Sequence, residues 1–264
     1  MKNTTATKVT ATPVVATSGL VNKPLRIFVV NYAGGAGKTT LTRHLIAPSF
    51  AVAPVVLSIE SLNSTGASGA TKQVKAKDFL EVVGLMLRNT TPTIVDVGAS
   101  SIEKVRDALR TLGKFHEKVD MFVVPTSPDV RQISDTLNTL KDLLEMGVSP
   151  SKIHVLKNKV HDVDTMDADF ASIGSFCSSL GMHLVDRPIL ELELYSQVFF
   201  DETAGSVGDI MADETDFEAL IAQSHAAGDV AGEQSAAAAY IRRYASEGAV
   251  SNLAKVRAEL FAGV

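Results

Sequence analysis

Short apolar runs alternate with amphipathic stretches along most of the chain. Six runs rich in β-branched and other apolar residues predict β-strands. Between them, apolar residues recur every three to four positions, which predicts helices. The predicted strands cover residues 25–31, 55–59, 93–97, 120–125, 152–157 and 183–187, and the predicted helices cover 37–47, 76–88, 101–114, 129–146 and 165–180.

The predicted strands are almost continuously apolar rather than alternating, as in Met121-Phe-Val-Val124. Strands of this kind are covered on both faces. Strands that alternate with helices along a chain form a mostly parallel sheet with right-handed crossovers. The sequence therefore predicts an α/β fold with a mostly parallel, twisted sheet, helices on both faces, and a ligand at the carboxyl ends of the strands.

The pattern divides the chain into three segments. Residues 1–24 are rich in Thr, Ala and Val, contain three lysines and no acidic residue, and are predicted to be a flexible tail. Residues 25–200 contain the six predicted strands and form the main domain. Residues 201–264 carry Ala-rich helical patterns, which predict a helical extension packed on the domain or on a partner. Within the domain, residues 61–71 are rich in Ser, Gly, Ala and Thr and are predicted to be a mobile loop.

Composition narrows the function classes. Apolar residues make up 45% of the chain, which is ample for a buried core. The net charge of −5 argues against a basic surface over the whole chain, although a local nucleic-acid-binding patch stays open. A single cysteine, Cys177, excludes an internal disulfide and indicates a reducing, cytoplasmic location. No apolar run approaches the length of a membrane span, so we do not expect a membrane partner.

The most specific motif lies where the first predicted strand passes into the first predicted helix. The apolar run Ile27–Val30 is followed by Ala33-Gly-Gly-Ala-Gly-Lys-Thr-Thr40. A strand, a glycine-rich turn and a helix start form a phosphate cradle, because backbone N–H groups and the helix dipole face the anion. Lys38 would reach the β- and γ-phosphates, and the Thr39 hydroxyl would bind Mg²⁺. This motif predicts a P-loop NTPase. The other cofactor-binding positions in the loop are Gly34, Gly35, Ala36, Gly37 and Thr40.

A carboxylate for the metal follows a later strand. Asp96 ends the apolar run Thr93-Ile-Val-Asp96 and is predicted to hold Mg²⁺ through a water molecule, as a Walker B residue. The alternative is an aspartate that only caps the following turn, and the glycine-rich loop favours the metal role. Gly98 comes two residues later and would let the backbone approach a γ-phosphate closely.

Two further residues are candidates with open alternatives. Glu60 follows the second apolar run and would position an attacking water, although an acidic strand end without a special role is equally well supported. Asn158 would contact the nucleotide base, with a simple turn residue as its serious alternative. A GTP-type Asn-Lys-x-Asp motif would need aspartate where His161 stands, which favours ATP over GTP.

The order of these motifs resembles that of the ParA/MinD family of deviant Walker A ATPases. A narrower resemblance, over residues 25–200, is to the StbB plasmid-stability proteins. It is carried by Asn31–Thr40, His44–Pro48, Ile59–Asn63, Asp96–Ser100, Phe115–Glu117 and Phe122–Pro125.

The resemblance implies an ATP- and Mg²⁺-dependent switch in plasmid partition. Such proteins form nucleotide-dependent homodimers and act with a DNA-binding adaptor, so DNA would be contacted directly or through that adaptor. Lys38, Glu60 and Asp96 would be the catalytic residues. Ala33 departs from the family, which has a lysine there that reaches the partner's nucleotide. Because alanine cannot supply that charge, we expect slow or partner-stimulated ATP hydrolysis.

Two rival functions stay open. A P-loop small-molecule kinase would need an acceptor pocket and further cationic residues, and no clear run of such residues is present. A non-hydrolysing nucleotide-binding module in conjugation control or scaffolding is favoured by Ala33.

Near the C-terminus, apolar residues recur at helical spacing. A helix packed on the domain or on a partner is favoured there over a MinD-type membrane helix, because only Lys255 and Arg257 are basic.

Overall fold

A seven-stranded sheet forms the centre of the computed structural model, which describes residues 20–60, 71–75, 78–199 and 205–264. Every strand pair in it is parallel, and the spatial order is β3-β2-β4-β1-β5-β6-β7. This confirms the predicted parallel sheet. The strands are β1 (Arg26–Val29), β2 (Val55–Glu60), β3 (Thr71–Lys75), β4 (Thr93–Val97), β5 (Met121–Thr126), β6 (Ile153–Lys157) and β7 (His183–Val185).

Strand β3 was not predicted. It lies at the edge of the sheet and has a mostly polar sequence in which only Val74 is buried. An edge strand of this composition gives no hydrophobic signal. The predicted loop over 61–71 is therefore wrong at its last residue, because Thr71 begins β3, while residues 61–70 lie outside the described part.

The helices are close to those predicted. The range predicted as one helix over 165–180 is divided at Phe170, where the backbone leaves the helical conformation. The helices are α1 (Lys38–Leu41), α2 (Phe79–Arg88), α3 (Ile102–Thr111), α4 (Val130–Glu145), α5 (Met166–Asp169), α6 (Ala171–Leu180), α7 (Glu193–Phe199), α8 (Val207–Met211), α9 (Phe217–Ala226) and α10 (Val230–Leu260). A π-helical turn, Thr42–Ile46, continues α1.

Two apolar clusters cover the two faces of the sheet. Strand β1 supplies Phe28 to one cluster and Ile27 to the other, because successive side chains of a strand point to opposite faces. Helices α2, α3, α4 and α6 pack on the first face, and α1, α7, α8 and α10 pack on the second. The chain therefore has the predicted α/β fold, a parallel sheet with helices on both faces, together with a helical C-terminal extension.

The C-terminal extension is packed on the domain through the second half of α10. Its buried side chains Leu253, Val256 and Leu260 belong to the cluster on the second face. The Glu259 carboxylate accepts a hydrogen bond of 2.5 Å from the backbone N–H of Asp186, just beyond β7. The apolar face of this helix is thus occupied by the domain itself. None of the helices in the described ranges is long and apolar enough to cross a bilayer.

The end of the predicted N-terminal tail is packed against the domain. Residues 1–19 lie outside the described part, but Val21 is buried and its N–H donates to the Ser49 carbonyl at 2.8 Å. Val21 also forms an isolated parallel bridge with Phe50. The packed domain therefore starts before residue 24.

Two histidines, the buried His44 and the half-buried His154, predict how stability depends on pH. Burial lowers the pKa of His44 to about 4, and burial together with the neighbouring His183 lowers that of His154 to about 4. The unfolded chain binds protons at these sites below about pH 6.5, whereas the folded chain does not until about pH 4. The free energy of unfolding should therefore fall as the pH is lowered through this window, by about 2 kcal/mol per histidine at pH 5.

Urea unfolding at pH 7 and pH 5 measures this effect. The His44→Asn variant should lose less stability between the two pH values than the wild type, since asparagine does not titrate. His161→Asn removes a histidine that is 77% exposed, together with its surface pair with Glu191, and it serves as the control because exposed pairs contribute little to stability. Equal losses in the wild type and in His44→Asn would contradict the assignment.

Candidate functional site

The glycine-rich loop lies between β1 and α1, at the carboxyl edge of the sheet. Gly35 and Gly37 adopt φ values of 76° and 89°, in the left-handed region where glycine is favoured. A Cβ atom at Gly37 would also lie 2.3 Å from the Asn158 side-chain nitrogen. Both backbone conformation and close packing therefore require glycine at position 37.

Lys38 folds back over the start of its own loop. Its Nζ donates hydrogen bonds of 2.9 Å to the carbonyls of Asn31 and Ala33, and the residue is only 7% exposed. The ammonium group is thus fixed beside the backbone of the loop rather than extended into solvent. A polyphosphate with three anionic groups is a stronger acceptor than neutral carbonyls, so the same ammonium group can transfer to it.

Thr39 and Asp96 are brought together by the pairing of β1 with β4. Val29 and Asp96 are in register, and the Thr39 hydroxyl donates to the Asp96 carboxylate at 2.7 Å. Asp96 is 3% exposed. A hydroxyl and a carboxylate side by side are oxygen ligands of the kind that Mg²⁺ prefers, directly or through water. The residues present therefore fit a magnesium ion at this position.

The positions of the three other candidate residues say less about their predicted roles. Thr40 lies in α1 with its side chain partly exposed. The Gly98 N–H donates to the Ile59 carbonyl at 2.9 Å, and its φ of −57° is open to any residue. Glu60 is the last residue of β2, at the same edge of the sheet, and its side chain lies outside the described part. The roles of Thr40, Gly98 and Glu60 stay predictions.

Asn158 contacts the loop rather than standing apart from it. It follows β6, and its side-chain Nδ2 donates to the Ala36 carbonyl at 2.8 Å. Its own backbone N–H donates to the Thr126 carbonyl at 2.7 Å. Asn158 is therefore a brace between the end of β6 and the loop, and its contact with a nucleotide base stays a prediction.

Asn31 braces the loop from the other side, a role that was not predicted from the sequence. Asn31 is fully buried, and its amide donates to the Pro125 carbonyl at 2.7 Å and to the Thr136 hydroxyl at 2.8 Å. Its side-chain oxygen, Oδ1, accepts hydrogen bonds from the Ala33 N–H at 2.8 Å and from the Thr139 hydroxyl at 3.2 Å. A polar residue directly after an apolar strand, and two threonines one turn apart on a helix, were the available signals.

Comparisons with known proteins find similar solved structures but no family. No family model matches the chain, and no curated protein matches it. Similar solved structures include an ATP complex of McdA from Cyanothece, with 14% identity, coverage of 69% of this chain and 89% of that chain, and a TM-score of 0.44. The MinD cell division protein of Aquifex aeolicus has 16% identity, coverage of 72% and 89%, and a TM-score of 0.47. The septum site-determining protein MinD of Pyrococcus horikoshii OT3, complexed with Mg-ADP, has 11% identity, coverage of 90% and 97%, and a TM-score of 0.45.

The close packing at Gly37 predicts the effect of adding a single methyl group. Gly37→Ala should lower stability by about 1–3 kcal/mol, because it strains a left-handed backbone and displaces the Asn158 amide. Thermal unfolding measures the loss, and a nucleotide titration should show weakened binding.

Gly113→Ala is the matched control, since Gly113 has a φ of 58° and nothing within 4 Å of an added Cβ. It carries the backbone strain without the collision. In the Gly37→Ala background, Asn158→Ala should recover part of the lost stability. Equal stability losses in Gly37→Ala and Gly113→Ala would refute the collision.

Proposed function

We propose that this protein is an ATP-binding switch of the ParA/MinD type that acts in plasmid partition. The observation that carries the proposal is the arrangement of three residues around the glycine-rich loop. Lys38 is held by loop carbonyls at 2.9 Å, and Thr39 is held by Asp96 at 2.7 Å. The Lys38 ammonium group, for the phosphates, thus lies near the oxygens of Thr39 and Asp96, for Mg²⁺, where α1 begins beside β4.

Each side chain has a role in this proposal. Lys38 leaves the two carbonyls and binds the β- and γ-phosphates. Thr39 and, through water, Asp96 hold Mg²⁺, which supplies charge neutralisation on the phosphates when bound. Asn158 keeps the loop in place from the side of β6. Glu60, at the carboxyl end of β2, orients the attacking water.

Hydrolysis is slow in this proposal, because no cation is present at position 33. The side chain of Ala33 is only 1% exposed, and its backbone N–H is bonded to Asn31. Alanine therefore fits a crowded position at the loop start and offers no charge to a neighbouring subunit. Turnover then depends on a partner that supplies or orders the missing group.

The proposed partners follow from the sequence resemblance to StbB and ParA/MinD proteins. ATP would favour a homodimer through the carboxyl edge of the sheet, where the loop and Asp96 lie. The dimer would bind a DNA-bound adaptor, and hydrolysis would release it. Plasmid DNA would thus be positioned by a cycle of binding and release.

Removing the Lys38 ammonium group tests the proposed nucleotide site. Lys38→Ala should weaken ATP binding by about tenfold to a hundredfold, which corresponds to one charge-assisted hydrogen bond. Isothermal titration with ATP and Mg²⁺ measures this. Lys141→Ala removes an exposed lysine from α4 and should leave the affinity unchanged.

The same samples report the oligomeric state. In light scattering, the wild type should form a dimer with a non-hydrolysable ATP analogue and stay monomeric with ADP, while Lys38→Ala should stay monomeric with both. Undiminished ATP binding by Lys38→Ala would overturn the nucleotide site. Tight binding without a dimer would favour a nucleotide-binding module that does not switch.

A lysine at position 33 tests whether the missing charge limits hydrolysis. Ala33→Lys should raise the rate of phosphate release by at least about tenfold, because a cation near the γ-phosphate stabilises the transition state. Ala33→Met is the matched control, since it adds a chain of similar length to the same crowded position without a charge. Equal rates in the two variants would show that charge at this position does not limit turnover.

A further inference from the structure

Tyr32 occupies a distinctive position in the loop. It stands where the full P-loop pattern has its first glycine, and it lies between Asn31 and Ala33, the two residues whose carbonyls hold Lys38. Its own N–H donates to the Thr139 hydroxyl at 3.0 Å. Any displacement of Tyr32 therefore displaces both carbonyls that bind the Lys38 ammonium group.

The Tyr32 side chain leaves the loop and enters a cluster with two charged groups. Its hydroxyl donates to the Asp142 carboxylate. The Arg106 guanidinium donates to the Tyr32 hydroxyl at 3.1 Å and to Asp142 at 3.2 Å. Burial and the adjacent carboxylate raise the pKa of Tyr32 to about 12, so the hydroxyl remains a donor at neutral pH.

The cluster joins three separate parts of the fold. Tyr32 follows β1, Arg106 lies on α3, and Asp142 lies on α4. The side chains of Arg106 and Asp142 are 27% and 23% exposed, so their interaction is less screened by water than that of a fully exposed pair. Around it, apolar residues of α3 and α4 line a small cleft over the sheet, and Tyr32 and Arg106 form part of its wall.

Helix α3 is connected directly to the strand that carries Asp96. It begins at Ile102, directly after the segment 97–101 that follows Asp96. Arg106 lies one helical turn into α3, so a shift of segment 97–101 moves its guanidinium group. The loop and α3 are thus connected twice, through the Thr39–Asp96 hydrogen bond and through Tyr32.

We propose that Tyr32, Arg106 and Asp142 form a positioning triad that couples the nucleotide state of the loop to the orientation of α3 against α4. This inference rests on the proposed ATP switch. The triad touches no phosphate and is not catalytic. It holds the loop in its binding conformation and transmits a change there to the outer surface formed by α3 and α4.

A second ion pair between the same helices provides the control. Arg110 of α3 and Glu145 of α4 are 3.5 Å apart, with side chains 46% and 67% exposed. This pair links α3 to α4 but makes no contact with Tyr32 among the described hydrogen bonds. Arg110→Gln therefore removes an ion pair from the same helix interface without touching the loop.

A double-mutant cycle tests the triad. Tyr32→Phe and Arg106→Gln should each weaken ATP binding about fivefold, a typical coupling between sites, and Arg110→Gln should not. The double variant should bind no more weakly than either single variant, because both residues act through one connection. Isothermal titration measures the affinities of the wild type, the three single variants and the double variant. Effects that add in the double variant would overturn the triad.

Amide hydrogen exchange separates coupling from a merely structural role. In the wild type, a non-hydrolysable ATP analogue should slow exchange in the loop and also in Ile102–Thr111 and Val130–Glu145. In Tyr32→Phe, protection should remain in the loop and be lost from the two helices. Protection of both helices in Tyr32→Phe would overturn the inference while leaving the ATP site intact. A wild type that binds no ATP would overturn the proposed function and this inference together.

Discussion

Parallel pairing of β1 with β4 on one side and β5 on the other is the constraint on which the site depends. In a parallel sheet all carboxyl ends meet at one edge, so the loop after β1 lies directly beside Asp96 and Pro125. The Thr39–Asp96 hydrogen bond is a direct result of this register. An antiparallel neighbour would place its aspartate at the opposite edge, and the Thr39–Asp96 hydrogen bond would not form.

The loop itself has few side chains with which to hold its shape, so its neighbours hold it. Asn158 braces it from β6, and Asn31 ties its start to β5 and α4. Both are buried amides that donate to backbone carbonyls, Asn31 to that of Pro125 and Asn158 to that of Ala36, and this restricts the conformation of the loop. A preorganised loop gains affinity because less conformational entropy is lost on binding.

The C-terminal extension supports the helix that follows the loop. It does so on the face of the sheet opposite to α3 and α4. The His44 side chain, in the π-helical turn that continues α1, accepts a hydrogen bond from the Val207 N–H at the start of α8. Single π-helical turns are often found at functional sites. The helix that follows the loop is thus packed between the sheet and the extension, so residues far apart in the chain stabilise the glycine-rich loop.

Patterns among neighbouring residues were sufficient to predict much of the sheet and part of the candidate site. Six strands, the loop of residues 33–40 and Asp96 could be found because hydrophobic periodicity and the glycine–lysine–threonine motif are properties of neighbouring residues. The edge strand β3 has no such periodicity and was missed. Contacts between residues that lie far apart in the sequence were decided only by the tertiary structure. Tyr32 meets Arg106 across 74 positions, and Asn158 meets Ala36 across 122. Such pairs carry no mark in the sequence, because their partners are chosen by strand order and helix packing.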